Sequence, residues 1–137
     1  MDRQKGFTLV ELSLTIAIIG VLAVTALNRW PQATLELGAA RQQLAMDILK
    51  TRAMAMNRQG SFTIRRVNNL PASYEILDPG QQVVFTSALD GATVAAFSLV
   101  FDGLGSPGNN DASISVIGGE GSSVITVYGT TGGVYLP

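Results

Sequence analysis

The chain of 137 residues is long enough for one packed domain and a membrane segment, but too short for two full domains. It contains no cysteine and no histidine, so disulfide stabilisation is excluded, and the commonest general base and transition-metal ligand is absent. All nine basic residues lie at or before Arg66, whereas residues 67–137 carry only acidic charges. This acidic half disfavours binding to a polyanion such as DNA.

Residues 7–27 form a hydrophobic run of 21 residues that contains one charge, Glu11. A helix of this length rises about 30 Å, which matches the hydrocarbon thickness of a bilayer. Arg3 and Lys5 precede the run and predict a cytoplasmic N-terminus, while the polar and aromatic residues 28–31 that follow it are typical of a membrane interface. We therefore predict a single-pass membrane helix, with the rest of the chain on the far side.

A removable secretory signal is the alternative interpretation of this run. Such signals have an apolar stretch of about 7–15 residues, followed by small residues at a cleavage site. The run here is longer, and residues 23–26 only loosely mimic such a site. The pattern therefore favours a retained helix.

Glu11 is the informative residue of the hydrophobic run. A carboxylate at the centre of a membrane costs roughly 2–3 kcal/mol or more, and the cost falls toward the edge. Glu11 lies about 6 Å along the helix from Phe7, near that edge. Two interpretations remain open: the carboxylate reaches the interface, or it meets a partner from another subunit.

Residues 5–12, with the sequence KGFTLVEL, resemble the prepilin processing motif of type IV pilins and pseudopilins. The match is unbroken over GFTLVEL and continues loosely through residues 16–23. The resemblance implies that a prepilin peptidase cuts between Gly6 and Phe7 and N-methylates Phe7. It also implies that Glu11 neutralises the new amine of Phe7, in the same chain or in a neighbouring subunit of a filament.

The helical pattern continues beyond Pro31, since apolar residues recur at every third or fourth position, at Leu37, Ala40, Leu44, Ile48, Thr51 and Ala55. This spacing predicts one helix of about fifty residues, 7–57, kinked near Pro31 or loosened at Gly20 and Gly38, with Gly60 as its stop. We interpret Met46, Met54 and Met56 as core residues beside a sheet rather than as a ligand or partner surface.

Short alternating runs after Gly60 predict strands at 61–67, 73–77, 83–86, 95–101, 112–117, 123–128 and 134–136. The predicted fold class is therefore α+β, with a long N-terminal helix, transmembrane and then amphipathic, packed against an antiparallel β-sheet headpiece. The predicted organisation is a leader peptide at 1–6, a transmembrane and polymerisation helix at 7–28, a periplasmic half of the helix at 29–59, and the headpiece at 60–137.

This layout, with KTRAMAMNRQG at 50–60 and FDGLGSPG at 101–108, resembles the GspH/FimT-type minor pseudopilins and minor pilins. The resemblance implies an inner-membrane protein with a periplasmic headpiece that joins a type II secretion pseudopilus. The alternatives are a minor type IV pilin for pilus biogenesis or adhesion, and a DNA-uptake receptor pilin. The missing cysteine pair argues against a typical major type IV pilin.

Other signals indicate no catalytic or cofactor site. Asp102, Asn109, Asn110 and Asp111 are weak candidate calcium ligands, because their spacing is not that of an EF-hand and such clusters are usually turns. The doublet Arg65 and Arg66 makes a poor phosphate surface beside six carboxylates, so no nucleic-acid partner is expected. We predict no cofactor, no metal and no enzyme; the alternative of a membrane-anchored enzyme requires a clustered acid–base pair in the headpiece.

Overall fold

The computed structural model describes residues 8–27, 32–119 and 121–137. The chain divides into two units, Met1–Pro31 and Gln32–Pro137. The first contains helix α1, Leu9–Leu27, and the second contains helix α2, Gln32–Arg58, and all eight described strands. The predicted leader at 1–6, the cleavage residues Gly6 and Phe7, and the predicted kink near Pro31 lie outside the described residues.

One face of α2 supplies the helical side of the core. Leu44, Ile48 and Ala55 have no exposed surface, and Ala40 is 2% exposed, as the three- and four-residue spacing predicts. Thr51 is also fully buried on this face, and its hydroxyl donates to the carbonyl of Asp47 at 2.7 Å. The buried hydroxyl is therefore satisfied within the helix.

The end of α2 differs in one detail from the prediction that Gly60 stops the helix. The left-handed residue is Gln59, with φ of 47°, and the amide of Gly60 donates to the carbonyl of Ala55 at 3.2 Å. This hydrogen bond is typical of a Schellman cap. Gly60 is needed for space instead, because a Cβ there would lie 2.8 Å from Cγ of Pro79.

The strands form two antiparallel four-stranded sheets, with the orders β3-β2-β1-β5 and β4-β6-β7-β8. Their bounds are Phe62–Arg66 (β1), Ser73–Leu77 (β2), Val83–Ala88 (β3), Ala92–Val94 (β4), Ser98–Phe101 (β5), Ala112–Gly118 (β6), Gly121–Val127 (β7) and Val134–Tyr135 (β8). Both sheets contribute buried residues to the core beneath α2. The α+β class with a helix on antiparallel sheet is therefore confirmed.

Two features of the sheets differ from the sequence prediction. The prediction missed β4, which has only three residues and follows Asp90-Gly91. It also placed all strands in one headpiece sheet, whereas the chain passes from the edge of one sheet to the edge of the other between β4 and β5. Along this passage the amide of Ala95 donates to Ser115 of β6, and the amide of Arg66 in β1 donates to Phe97.

The methionine prediction is correct for one residue of three. Met54 packs against the core, but Met46 is 62% exposed and Met56 is 45% exposed. At 100° per residue, Met46 lies on the side of α2 opposite Leu44 and Ile48, and Met56 lies about 100° around the helix from them. Their interpretation as core residues is therefore wrong.

Polar contacts around Tyr74 join α2 to strands β2 and β3. Tyr74 is fully buried, and its hydroxyl donates to Oδ2 of Asp47 at 2.5 Å. Beside it, Nε2 of Gln43 donates to Oγ of Ser87 at 2.9 Å. Burial, and then the hydrogen bond to Asp47, raises the pKa of Tyr74 well above its usual value.

We expect Tyr74→Phe to change how stability depends on pH. Folding raises the pKa of Tyr74, so its contribution to the free energy of unfolding is fully present below about pH 10. Above that pH the contribution falls by at most about 1.4 kcal/mol per pH unit. At pH 7 the variant should lose about 1–2 kcal/mol, since Asp47 loses its donor.

Urea unfolding between pH 7 and pH 11 measures this difference. The difference in the free energy of unfolding between the wild type and Tyr74→Phe should decrease above pH 10. Tyr135→Phe is the matched control, because Tyr135 is 53% exposed, and its difference from the wild type should stay constant. A difference for Tyr74→Phe that is equally constant would contradict the assigned role.

Candidate assembly surface

Helix α1 begins with a capping arrangement at Thr8. The hydroxyl of Thr8 accepts a hydrogen bond from the amide of Glu11 at 3.3 Å, and its carbonyl accepts from the amide of Leu12 at 3.1 Å. Thr8 is therefore the N-cap residue of α1. The sequence prediction missed this role, although Thr8 and Glu11 have the spacing of a capping box.

Glu11 lies in the first turn of α1 and is exposed. An acidic side chain in this position is stabilised by the partial positive charge at the N-terminus of the helix. Among the described residues there is one ion pair, between Arg65 and Glu75, and Glu11 takes no part in it. The predicted partner of Glu11, the amine of Phe7, lies outside the described residues, so this pairing stays a prediction.

The remaining hydroxyl groups of α1 bond to the helix itself. Ser13 donates to the carbonyl of Leu9 at 2.9 Å, Thr15 to that of Leu12 at 2.8 Å, and Thr25 to that of Leu22 at 2.9 Å. Hydroxyls that return to the backbone leave no polar group that requires water. After Glu11, the described surface of α1 is therefore apolar in character.

The apolar side chains of α1 are uncovered within its unit. Ten large ones, from Leu9 to Val24, are between 51% and 81% exposed. A continuous apolar surface of this kind marks a site of contact with another protein or with lipid. No helix within the described part of the chain is both long enough and apolar enough to cross a membrane.

The four weak calcium candidates, Asp102, Asn109, Asn110 and Asp111, lie in and beside the loop after β5. Both carboxylates accept hydrogen bonds from backbone amides. Oδ1 of Asp102 accepts from the amides of Leu104 at 3.0 Å and Ser106 at 2.8 Å, and Oδ1 of Asp111 accepts from the amide of Gly129 at 2.9 Å. Asn109 and Asn110 are exposed. Within the described ranges, no three acidic residues gather to hold a metal ion. The arrangement is that of turn-forming residues.

Arg52 fastens this loop to α2. Its Nε donates to the carbonyl of Gly105 at 3.2 Å. Gly105 and Gly132 both have positive φ, 80° and 64°, and a Cβ at Gly132 would collide with the carbonyl of Gly105 and approach Arg52. Two glycines therefore allow two loops to meet at one arginine. No motif or spacing in the sequence indicated this contact of Arg52.

The arginine doublet does not form one basic surface. Nε of Arg65 lies 2.7 Å from Oε1 of Glu75, the residue directly opposite it on β2. Successive side chains of a strand point to opposite faces, and Nη1 of Arg66 approaches the carbonyl of Val94 at 3.5 Å. One charge is therefore neutralised, and the other lies on a different face.

Comparison with known proteins finds similarity in sequence and in fold. Residues 1–27 match the family described as the prokaryotic N-terminal methylation motif. A fimbrial protein of Pseudomonas aeruginosa is 33% identical over 76 residues, which are 56% of this chain and 49% of that protein. The chain therefore spans about half the length of this relative. The type IV major alpha-pilin of Moraxella bovis is 26% identical over 144 residues, covering 98% of this chain and 85% of that protein.

The fold is also similar to a solved structure. The type IV minor pilin FimU of Pseudomonas aeruginosa superposes with a TM-score of 0.63 over 76% of this chain and 90% of that chain. The sequence identity is 16%, so this likeness concerns the fold. With the methylation motif at residues 1–27, the pilin relatives along the sequence and the helix packed on antiparallel sheet, this chain is similar to type IV pilins in sequence and in fold.

Proposed function

We propose that this chain is a minor subunit of a type IV pilus, assembled through its N-terminal helix. The observation that carries this proposal is α1, a capped helix whose ten large apolar side chains from Leu9 to Val24 are each more than half exposed in its own unit. The match to pilins and the fold likeness to a minor pilin support the choice of filament. The absence of cysteine supports a minor rather than a typical major subunit.

The N-terminal segment first anchors the precursor in the bacterial inner membrane, with the headpiece in the periplasm. Residues 7–27 supply 21 residues with one charge, and Phe7 lies outside the described residues. A prepilin peptidase removes residues 1–6 by cutting between Gly6 and Phe7, and then methylates Phe7. The cut leaves the apolar segment in the product, which keeps the protein anchored until assembly.

Glu11 determines the register of assembly. Moving an apolar helix from lipid to a bundle of apolar helices gains little hydrophobic free energy, because lipid tails are as apolar as leucine. Packing and polar pairs must therefore distinguish one register from another. A carboxylate and an amine that are each costly in a low-dielectric environment become tolerable when paired, so Glu11 favours the register that places it beside a Phe7 amine.

The type II secretion pseudopilus is the second candidate. Its subunits resemble this chain in the same processing motif and in the GspH/FimT-type layout at 50–60 and 101–108. Deletion of the gene distinguishes the two: loss of surface pili with normal protein secretion supports the pilus, and the reverse supports the pseudopilus. A DNA-uptake role has less support, because Arg65 is paired with Glu75.

The mature protein should begin at Phe7 and carry one methyl group. Intact-mass measurement of the chain isolated from membranes tests this directly. We expect the loss of Met1–Gly6 and the addition of a methyl group to the new N-terminus. A chain that begins near Arg29 and is free in the periplasm would overturn the proposed function, because the assembly helix would have been removed.

Glu11→Gln should separate membrane insertion from assembly. The variant keeps the backbone amide that donates to Thr8 but removes the charge. We expect normal membrane levels and at least tenfold less protein in sheared filaments. Thr8→Val is the matched control, because it removes the N-cap, at a cost of about 1 kcal/mol, and keeps the carboxylate. Equal incorporation of Glu11→Gln and wild type would rule out the pairing.

A further inference from the structure

The loop after β5 holds one leucine side chain in solvent on a fixed backbone. Leu104 is 84% exposed, more than any other large apolar side chain described in the second unit. The amide of Asp102 donates to the carbonyl of Ser106 at 3.0 Å, and the amide of Gly105 donates to the carbonyl of Asp102 at 2.9 Å. The hydroxyl of Ser106 donates to the carbonyl of Gly129 at 2.7 Å. A fixed loop loses little freedom on binding, so Leu104 is suited to anchor a contact.

This loop lies at one end of the second unit. A Cβ at Gly105 would lie 2.7 Å from Sδ of Met56, and a Cβ at Gly103 would lie 3.2 Å from the backbone of Gln59. Both neighbours belong to the last turn of α2 or follow it directly. Leu104, which stands between the two glycines, is therefore presented beside the C-terminal end of α2.

A small cavity lies at the other end of the same unit, on the flank of α2 next to β7. Its volume is about 220 Å³, and it is lined by Leu37, Gly38, Arg41 and Ser123. A Cβ at Gly38 would have no neighbour within 4 Å, so this glycine leaves the cavity open. Nη1 of Arg41 donates to Oγ of Ser123 at 2.9 Å, which joins the two walls. Since a cavity of about 150 Å³ holds benzene, a leucine side chain fits here.

Leu104 cannot reach this cavity within its own chain. From Gly38 to Met56, beside which the loop lies, α2 rises about 27 Å. A side chain at one end of a unit and a cavity at its other end can meet only between two copies. Such a contact is heterologous, and it produces an open row of copies when the rotation between them does not close a ring.

The charges at the two ends have opposite signs. Asp102, near Leu104, is exposed, and Arg41 lines the cavity. In the part of the chain that the structure describes, the one ion pair joins Arg65 to Glu75 and involves neither of them. Opposite charges at the two sides of a contact favour one orientation of the partners.

The size of this contact indicates that it works alongside another one. A single loop and a single cavity are smaller than the about 800 Å² that each partner contributes to a stable interface. The contact is therefore too small to hold two free copies together. It is suited to orient copies that their α1 helices already hold side by side.

We propose that Leu104 of one copy inserts into the cavity beside Gly38 of the next copy, so that the second units of the chain form a head-to-tail row. The partner is a second copy because both halves of the contact, the anchoring leucine and the cavity, are present on this one chain. The inference rests on the proposed function, since α1 provides the contact that first brings the copies together.

Cysteine crosslinking of the full chain in the filament-forming bacterium tests this contact, because the chain has no cysteine of its own. One tagged copy carries Asn57→Cys, at the Leu104 end of α2, and a differently tagged copy carries Ser122→Cys, beside the cavity; both positions are exposed. A short bismaleimide added to sheared filaments should join the two tags. Adding Leu104→Asp to the first copy should lower the yield at least tenfold. Leu70→Asp is the matched control, because Leu70 is 55% exposed in another turn, and it should leave the yield unchanged.

A second variant tests the cavity itself. Gly38→Leu in the copy that carries Ser122→Cys places a side chain in the cavity from its own chain. The substitution also raises helix propensity, so α2 should remain folded. We expect it to lower the crosslinking yield at least fivefold, and an unchanged yield would contradict the role of the cavity.

The outcomes separate the inference from the proposed function. The inference is wrong, and the proposed function stands, if both copies enter sheared filaments but the two tags are not joined. The same holds if the yield survives Leu104→Asp, or if Asn57→Cys is joined to a second Asn57→Cys instead. If the chain without cysteine is absent from sheared filaments, the proposed function fails first, and the inference fails with it.

Discussion

The burial of one face of α2 is the interaction on which the second unit depends. Leu44, Ile48, Thr51 and Ala55 have no exposed surface, and they lie against residues from both four-stranded sheets. Among the described residues of this unit, α2 is the one helix. It therefore provides the surface against which both sheets pack. Helix α2 also positions a loop, because Arg52 on α2 donates a hydrogen bond to the carbonyl of Gly105. The opposite side of α2 is exposed in this unit, with Met46 at 62%.

Helix α1 differs from α2 because no core within its own unit buries its apolar side chains. Its hydroxyls bond to the backbone, its N-terminus is capped by Thr8, and its apolar residues remain uncovered. Such a helix is complete in its hydrogen bonding but incomplete in its packing. Lipid and neighbouring apolar helices cover such a helix about equally well, so a transfer from membrane to filament, as proposed above, would cost little hydrophobic free energy. Under the proposed function, Glu11 is the polar group of α1 that selects the register of assembly.

The sequence predicted features that follow from regular spacing and missed those that depend on tertiary contacts. The three- and four-residue pattern correctly placed Leu44 and Ile48 in the core, and alternation located seven of the eight described strands. Strand β4 escaped because three residues are too few to show alternation. Met46 and Met56 were misplaced because both faces of α2 carry apolar residues, so residue type alone did not separate core from surface. The contact of Arg52 with Gly105 joins positions 53 residues apart, which no local pattern reveals.

We propose that this chain joins a filament when the helices of neighbouring subunits cover α1. A cryo-electron microscopy map of filaments that contain the chain tests this most directly. We expect the side chains from Leu9 to Val24 to lie inside a bundle of neighbouring helices, while Leu44 and Ile48 keep their contacts with the two sheets of their own subunit. A map in which α1 lies on the outer surface of the filament, or in which the chain begins after α1, would contradict it.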